Sequence, residues 1–138
     1  MFQLELFIIL ALLYLCAYLW TIFGGAFFVG HFLSPYKDPK STEKPMGLSG
    51  AGKKIGQVER AIILTLALMG EFGAISFVFV AKSMARFEQL KERHFAEYYL
   101  LGTLLSIFFA LATAILIQGI ITLLTVTILP ELQNLWGS

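Results

Sequence analysis

Glu71 stands alone in the middle of residues 61–81, a segment with no other charged side chain. A carboxylate at the centre of a bilayer costs on the order of 3 kcal/mol on insertion scales, so it must face protein or water, find a partner, or take up a proton. The residues around it are small. Gly70, Gly73 and Ala74 leave room for another backbone to approach, and Gly70 with Ala74 forms a small-xxx-small pair. Farther along, Gly102, Ser106, Ala110, Ala114, Gln118 and Thr122 recur at intervals of four, with Thr103 beside them. Such a seam drifts by about 40° per step around a 3.6-residue helix, so two neighbours rather than one would share it. Glu71, Thr103, Ser106 and Gln118 are therefore the candidate intramembrane polar site. They form either a packing surface whose hydrogen bonds are satisfied between helices or the lining of a hydrated path.

Other chemistries find less support. The run Gly47-Leu48-Ser49-Gly50-Ala51-Gly52-Lys53-Lys54 matches a phosphate-binding loop through seven positions, then places Lys54 where a Ser or Thr must ligate magnesium. No buried strand precedes it, since 41–46 is polar and contains Pro45, so no nucleotide site is expected. His31 and His94 belong to no metal-ligand spacing, and the single aspartate, Asp38, offers no Ser, His and Asp set for hydrolysis. A net charge of +1 argues against a nucleic-acid partner, and one cysteine, Cys16, excludes a disulfide framework. The expectation is a protein without metal or cofactor and without enzymatic activity.

The elements that must position Glu71 follow from the charge distribution. Of 138 residues 58% are hydrophobic and 14% charged, against about 25% charged in ordinary soluble domains. Nine charges fall between Lys37 and Arg60 and seven between Lys82 and Glu97, leaving apolar runs over 6–30, 61–81 and 98–129. A hydrocarbon core of about 30 Å takes about 20 residues of helix. The pattern predicts an all-α polytopic membrane domain of three spans, with helices two and three as an antiparallel hairpin and helix one packed across it. The first run is an anchor rather than a cleaved leader, because Glu5 and no Lys or Arg precede it. The loop over 34–56 carries Pro35, Pro39 and Pro45 with four glycines, and should be irregular. The second helix should continue beyond 81, and the third, roughly 48 Å long, should tilt or protrude and stop at Pro130. Trp136 would anchor its end at the interface.

In one continuous helix Arg60, Glu71 and Lys82, spaced by eleven, share a face. Each step is about 16.5 Å along the axis, too far for a direct pair. Glu71 should then be met by another helix or another chain, which implies a homo-oligomer or docking on a second membrane protein. Glu59, Arg60, Lys82, Arg86 and Glu97 fall near the helix ends, where Glu59 or Glu97 should pair with one of the basic residues across the hairpin or between subunits and so fix register. With three spans, six Lys and Arg lie on one side and four on the other, which places the N-terminus outside and the C-terminus in the cytoplasm.

The blocks Ile55-Gly56-Gln57-Val58-Glu59-Arg60, Gly70-Glu71-Phe72-Gly73-Ala74-Ile75, Ala81-Lys82-Ser83 with Arg86-Phe87, and Ala96-Glu97-Tyr98 followed by Gly102-Thr103-Leu104-Leu105-Ser106 resemble, in order and spacing, the C-terminal half of a family of bacterial integral membrane proteins designated domain of unknown function 3307. The resemblance covers about 52–114. It implies a bacterial inner membrane and a helical hairpin, with extra upstream helices in longer relatives, and it supplies no activity.

Overall fold

The computed structural model describes the backbone of residues 2–37 and 50–136 and the side chains of 3–37 and 50–130. Positions 47–49 of the phosphate-loop comparison lie outside these, as do residues 38–46 of the proline-rich loop and the Trp136 side chain. Among the described residues every element is helical. The first helix, α1 (Phe2–Leu19), passes through a π-helical turn (Trp20–Gly24) into α2 (Gly25–Leu33) and a short 3₁₀ turn (Ser34–Tyr36). Then come α3 (Ala51–Leu68), α4 (Phe72–Ala85), a 3₁₀ turn (Gln89–Lys91) and α5 (Arg93–Trp136).

Two stretches, Gln3–Tyr36 and Arg93–Pro130, are long and apolar enough to cross a membrane, with 34 and 38 residues. Their outward faces are predominantly apolar, with Phe27 80% and Ile115 70% exposed. The two run antiparallel, because Gly102 approaches Leu33 while Phe109 lies against Gly25.

The segment 61–81 is not the single helix its composition suggests. It breaks at Met69–Glu71, where Gly70 adopts φ +78°, a left-handed conformation that side chains with a Cβ avoid. The Glu71 N–H donates to the Leu66 carbonyl at 2.8 Å and the Gly70 N–H to that of Ala67 at 3.1 Å. This is the Schellman pattern, which satisfies the last carbonyls of α3 and ends it. α4 then folds back antiparallel on α3, so that Lys82 meets Glu59 across 23 residues of chain. The shared face expected for Arg60, Glu71 and Lys82 is lost with the helix that would have carried it.

Two further expectations need correction. α5 continues through Pro130 to Trp136; an interior proline removes one backbone hydrogen bond, and the apolar run before it holds the helix together. The end of the predicted loop, from Ala51, is already the first turns of α3. The amphipathic extension after 81 is real for one turn, to Ala85, before the chain turns over Arg86–Glu92 into α5.

The core lies where α3 wedges between α1 and α5. Ala17, Ile63, Leu64, Ala67, Ala110, Ala114 and Ile117 pack there with Ile75 of α4. The alanines allow close approach of the helices. Tyr18 and Thr65 share a hydrogen bond at 2.6 Å across the α1–α3 contact.

Candidate functional site

Charge is buried in this bundle at a level where the sequence suggests only helix ends. Glu59 and Arg60, adjacent in α3, are each 5% exposed. Arg60 reaches across to the π-helical turn of the first helix. Its Nε donates to the Thr21 carbonyl at 3.1 Å and its Nη2 to the Ile22 carbonyl at 3.0 Å, while Nη1 lies 3.5 Å from Ser106 Oγ. A π turn bonds i to i+5, as in the Gly25 N–H to Trp20 carbonyl, and the extra residue leaves carbonyls without an intrahelical donor. The guanidinium, with five N–H donors in a flat fork, supplies what the helix lacks.

Glycine makes the contact possible. A Cβ on Gly25 would stand 2.6 Å from Arg60 Cδ and 2.9 Å from its Nε. Phe109 closes the other side, packed against Trp20 and Phe28 at ring separations of 5.9 and 5.2 Å.

Glu59 faces the other way, toward α4, and accepts a hydrogen bond from Lys82 Nζ at 2.5 Å. The same ammonium sits over the Tyr99 ring at 5.4 Å. Thr103, one turn beyond Tyr99, is 1% exposed. Thr21, Glu59, Arg60, Thr103 and Ser106 thus form a buried polar layer joining all three parts of the bundle. Arg86 and Glu97 stay outside it and are exposed; Glu97 pairs with Arg93 at 2.9 Å on the same helix.

Glu71 does not belong to this layer. It occupies the N-cap position of α4 at the hairpin tip, exposed, with no hydrogen bond from its side chain to the helix it precedes. Among the described residues it forms no ion pair. Gly70 and Gly73 at the tip meet nothing within 4 Å of where a Cβ would be, so they serve no packing inside this chain, and the other role their spacing allows is packing against a different chain. Ala74 is half-buried. On α5, a Cβ on Gly102 would stand 3.0 Å from Leu33 Cδ1 and Ala110 and Ala114 lie in the core, whereas Gln118 is exposed. The seam therefore divides, with Thr103 and Ser106 turned inward and Gln118 outward.

The sequence reading missed the π turn and the part played by Gly25. A glycine pair inside an otherwise bulky apolar run is the trace it leaves. No group of three or more His, Cys, Asp or Glu suited to a metal occurs among the described residues. No protein-family model, curated protein or solved structure matches the chain, so its function has to be argued from this geometry.

Proposed function

We propose that the protein is a small integral membrane subunit that acts by assembly, as a structural or accessory part of an oligomeric complex, with the hairpin tip as its contact. The observation that carries this is the contrast among its buried or apolar-segment charges. Glu59 and Arg60 find partners within the chain, and Glu71 does not. A carboxylate in hydrocarbon needs a donor, water or a proton, and in this reading a neighbouring chain supplies the donor.

The apolar part of α3 from Ala61 and that of α4 to Ala81 rise about 12 and 15 Å at 1.5 Å per residue, which reaches half of a 30 Å core. In this reading α3 and α4 enter and leave on one face while α1–α2 and α5 span. All ten Lys and Arg lie between Lys37 and Arg93, hence on one side. The six-to-four division of a three-span chain becomes ten to none. The positive-inside rule then puts the connection in the cytoplasm and both termini outside, in a bacterial inner membrane if the family resemblance holds. Reporter fusions at 60, 88 and 138 test it, with those at 60 and 88 expected on the same side. The C-terminal fusion should be active only with a reporter that works outside the cytoplasm and the fusion at 88 only with a cytoplasmic one; opposite sidedness for 60 and 88 would restore the three-span topology.

Glu71 itself is tested by native mass spectrometry in mild detergent. Wild type and Glu71→Gln, which keeps hydrogen-bonding capacity, should assemble alike, and Glu71→Leu should shift at least ten-fold toward monomer. Monomers in all three, with no partner in a native pull-down, would sink the assembly reading. A second reading, an ion or proton path in an oligomer, is favoured by the helix break itself, since broken helices at mid-depth bind ions in transporters. It requires flux above empty liposomes that Glu71→Gln abolishes.

A further inference from the structure

We infer that the face of α3 turned toward the π turn binds one anionic phospholipid, with its phosphate at Lys54 and Gln57 and an acyl chain in the groove below them. The depth of α3 is taken from the membrane reading above, while the site itself is independent of Glu71 and of assembly.

An open groove of about 460 Å³ runs between the first helix and α3. Ile22 of the π turn forms one wall, and along the other Lys54 and Gln57 are followed by Val58, Ala61, Ile62 and Thr65. These α3 positions recur at helical spacing, so they make one continuous stripe. The opposite wall is held in place, because the Ile22 carbonyl accepts from Arg60 Nη2 at 3.0 Å. Donors that a ligand could use stand at one end only. Thr65, at the other end, gives its hydroxyl proton to the Ala61 carbonyl at 2.8 Å and shares its oxygen with Tyr18 at 2.6 Å, so it brings no free donor to the groove.

A cation and an amide at the rim of an apolar channel select an amphiphile with a negative head. A sugar or a metal ion would need polar partners along the channel, where Ile22, Val58, Ala61 and Ile62 offer alkyl groups. A zwitterionic head brings its own cation toward Lys54, so the preference is for net negative charge. The depths agree with a lipid standing in its leaflet. Ala61 begins the apolar part of α3, and Gln57 and Lys54 stand about 6 and 10 Å outside it at 1.5 Å per residue, in the headgroup region, with a lysine stem that can reach inward. Ala61, Ile62 and Thr65 then lie beside the upper acyl carbons. Basic pockets between helices on the cytoplasmic side bind anionic headgroups for the same reason. Lys53, adjacent and exposed, carries the same charge but does not line the groove, which supplies an internal control.

The test is lipid retention by the full-length chain, reconstituted into vesicles of equal parts phosphatidylglycerol and phosphatidylcholine, extracted in mild detergent and read by native mass spectrometry. One phosphatidylglycerol per chain should stay bound, about five-fold above phosphatidylcholine. Lys54→Gln should bring it down to the phosphatidylcholine level, whereas Lys53→Gln should change it by less than about two-fold. Ala61→Trp, which fills the groove, should lose both lipids with helix content unchanged. Equal losses from Lys53→Gln and Lys54→Gln would make the attraction a general one of the basic surface and overturn the site. Full retention in Ala61→Trp, or displacement by millimolar inorganic phosphate, would overturn the part given to the acyl chain. If the reporter fusions restore three spans while phosphatidylglycerol is still held, the topology falls and the lipid site stands; if the fusions come out as expected and wild type holds no phosphatidylglycerol, the site falls and the topology stands.

Discussion

Gly25→Ala is expected to destabilise the protein by about 3 to 5 kcal/mol, the range for a buried charge that loses its partners, although it adds a single methyl to a helix. The added Cβ would occupy space 2.6 Å from Arg60 Cδ, with Phe109 at 3.1 Å closing the other direction. The guanidinium then withdraws from the Thr21 and Ile22 carbonyls. Two losses follow: a cation without acceptors in an apolar bundle, and backbone carbonyls of the π turn without donors. Elsewhere in a helix the same substitution stabilises by up to about 1 kcal/mol through propensity, so the sign separates the two mechanisms. Reversible unfolding in mixed micelles, followed by circular dichroism, gives the measurement.

Arg60→Leu supplies the control. It leaves the carbonyls unpaired, at about 1 to 3 kcal/mol, but creates no stranded charge. In that background Gly25→Ala should cost less than about 1 kcal/mol, because the methyl no longer evicts anything; contacting residues deviate from additivity by such amounts. Equal costs in both backgrounds would place the Gly25 effect somewhere other than Arg60.

Why the Arg60 contact escapes a sequence reading is clear from its acceptors. They are backbone carbonyls, freed by a five-residue π turn over Trp20–Gly24, and no side-chain pattern encodes them. Hydropathy shows both long helices and isolates Glu71, since those features depend on composition over twenty residues. It does not show that 61–81 is broken, because Gly70 fits two roles equally well: a packing glycine in a continuous span and the left-handed residue that ends a helix. The apolar residues on either side of Gly70 suffice for half a membrane each, and as a single run they look like one full span. The interval that seemed to define a helical face was a symmetry of the turn. Glu59 lies eleven residues before Gly70 and Lys82 eleven after Glu71, which is the spacing two antiparallel strokes of helix need for their ends to meet. Charges placed symmetrically about a glycine in an apolar run are thus a signal of a hairpin, and it was present in the sequence.

That symmetric pair yields the second large effect, and an unequal one. Lys82→Met should cost about 3 to 5 kcal/mol, because it strands the Glu59 carboxylate, 5% exposed, in the interior. Glu59→Gln should cost markedly less. Lys82 is 23% exposed, and its long stem can carry the ammonium outward to water when the carboxylate is gone. Joining the two changes removes both charges together. A buried ion pair replaced as a unit by neutral groups is often neutral or stabilising by about 1 to 4 kcal/mol relative to leaving it in place, so Glu59→Gln with Lys82→Met should recover most of the loss seen with Lys82→Met alone. The recovery would also locate the pair's purpose. If stability returns while the double variant samples a separated hairpin, read as faster hydrogen exchange in α4 than in wild type, the ion pair serves to select the folded-back arrangement and apolar packing supplies its stability. If the double variant unfolds as readily as Lys82→Met, then Glu59 and Lys82 are not each other's principal partners, and the closure of α4 on α3 must come from the Ile75 contact and the Gly70 turn instead.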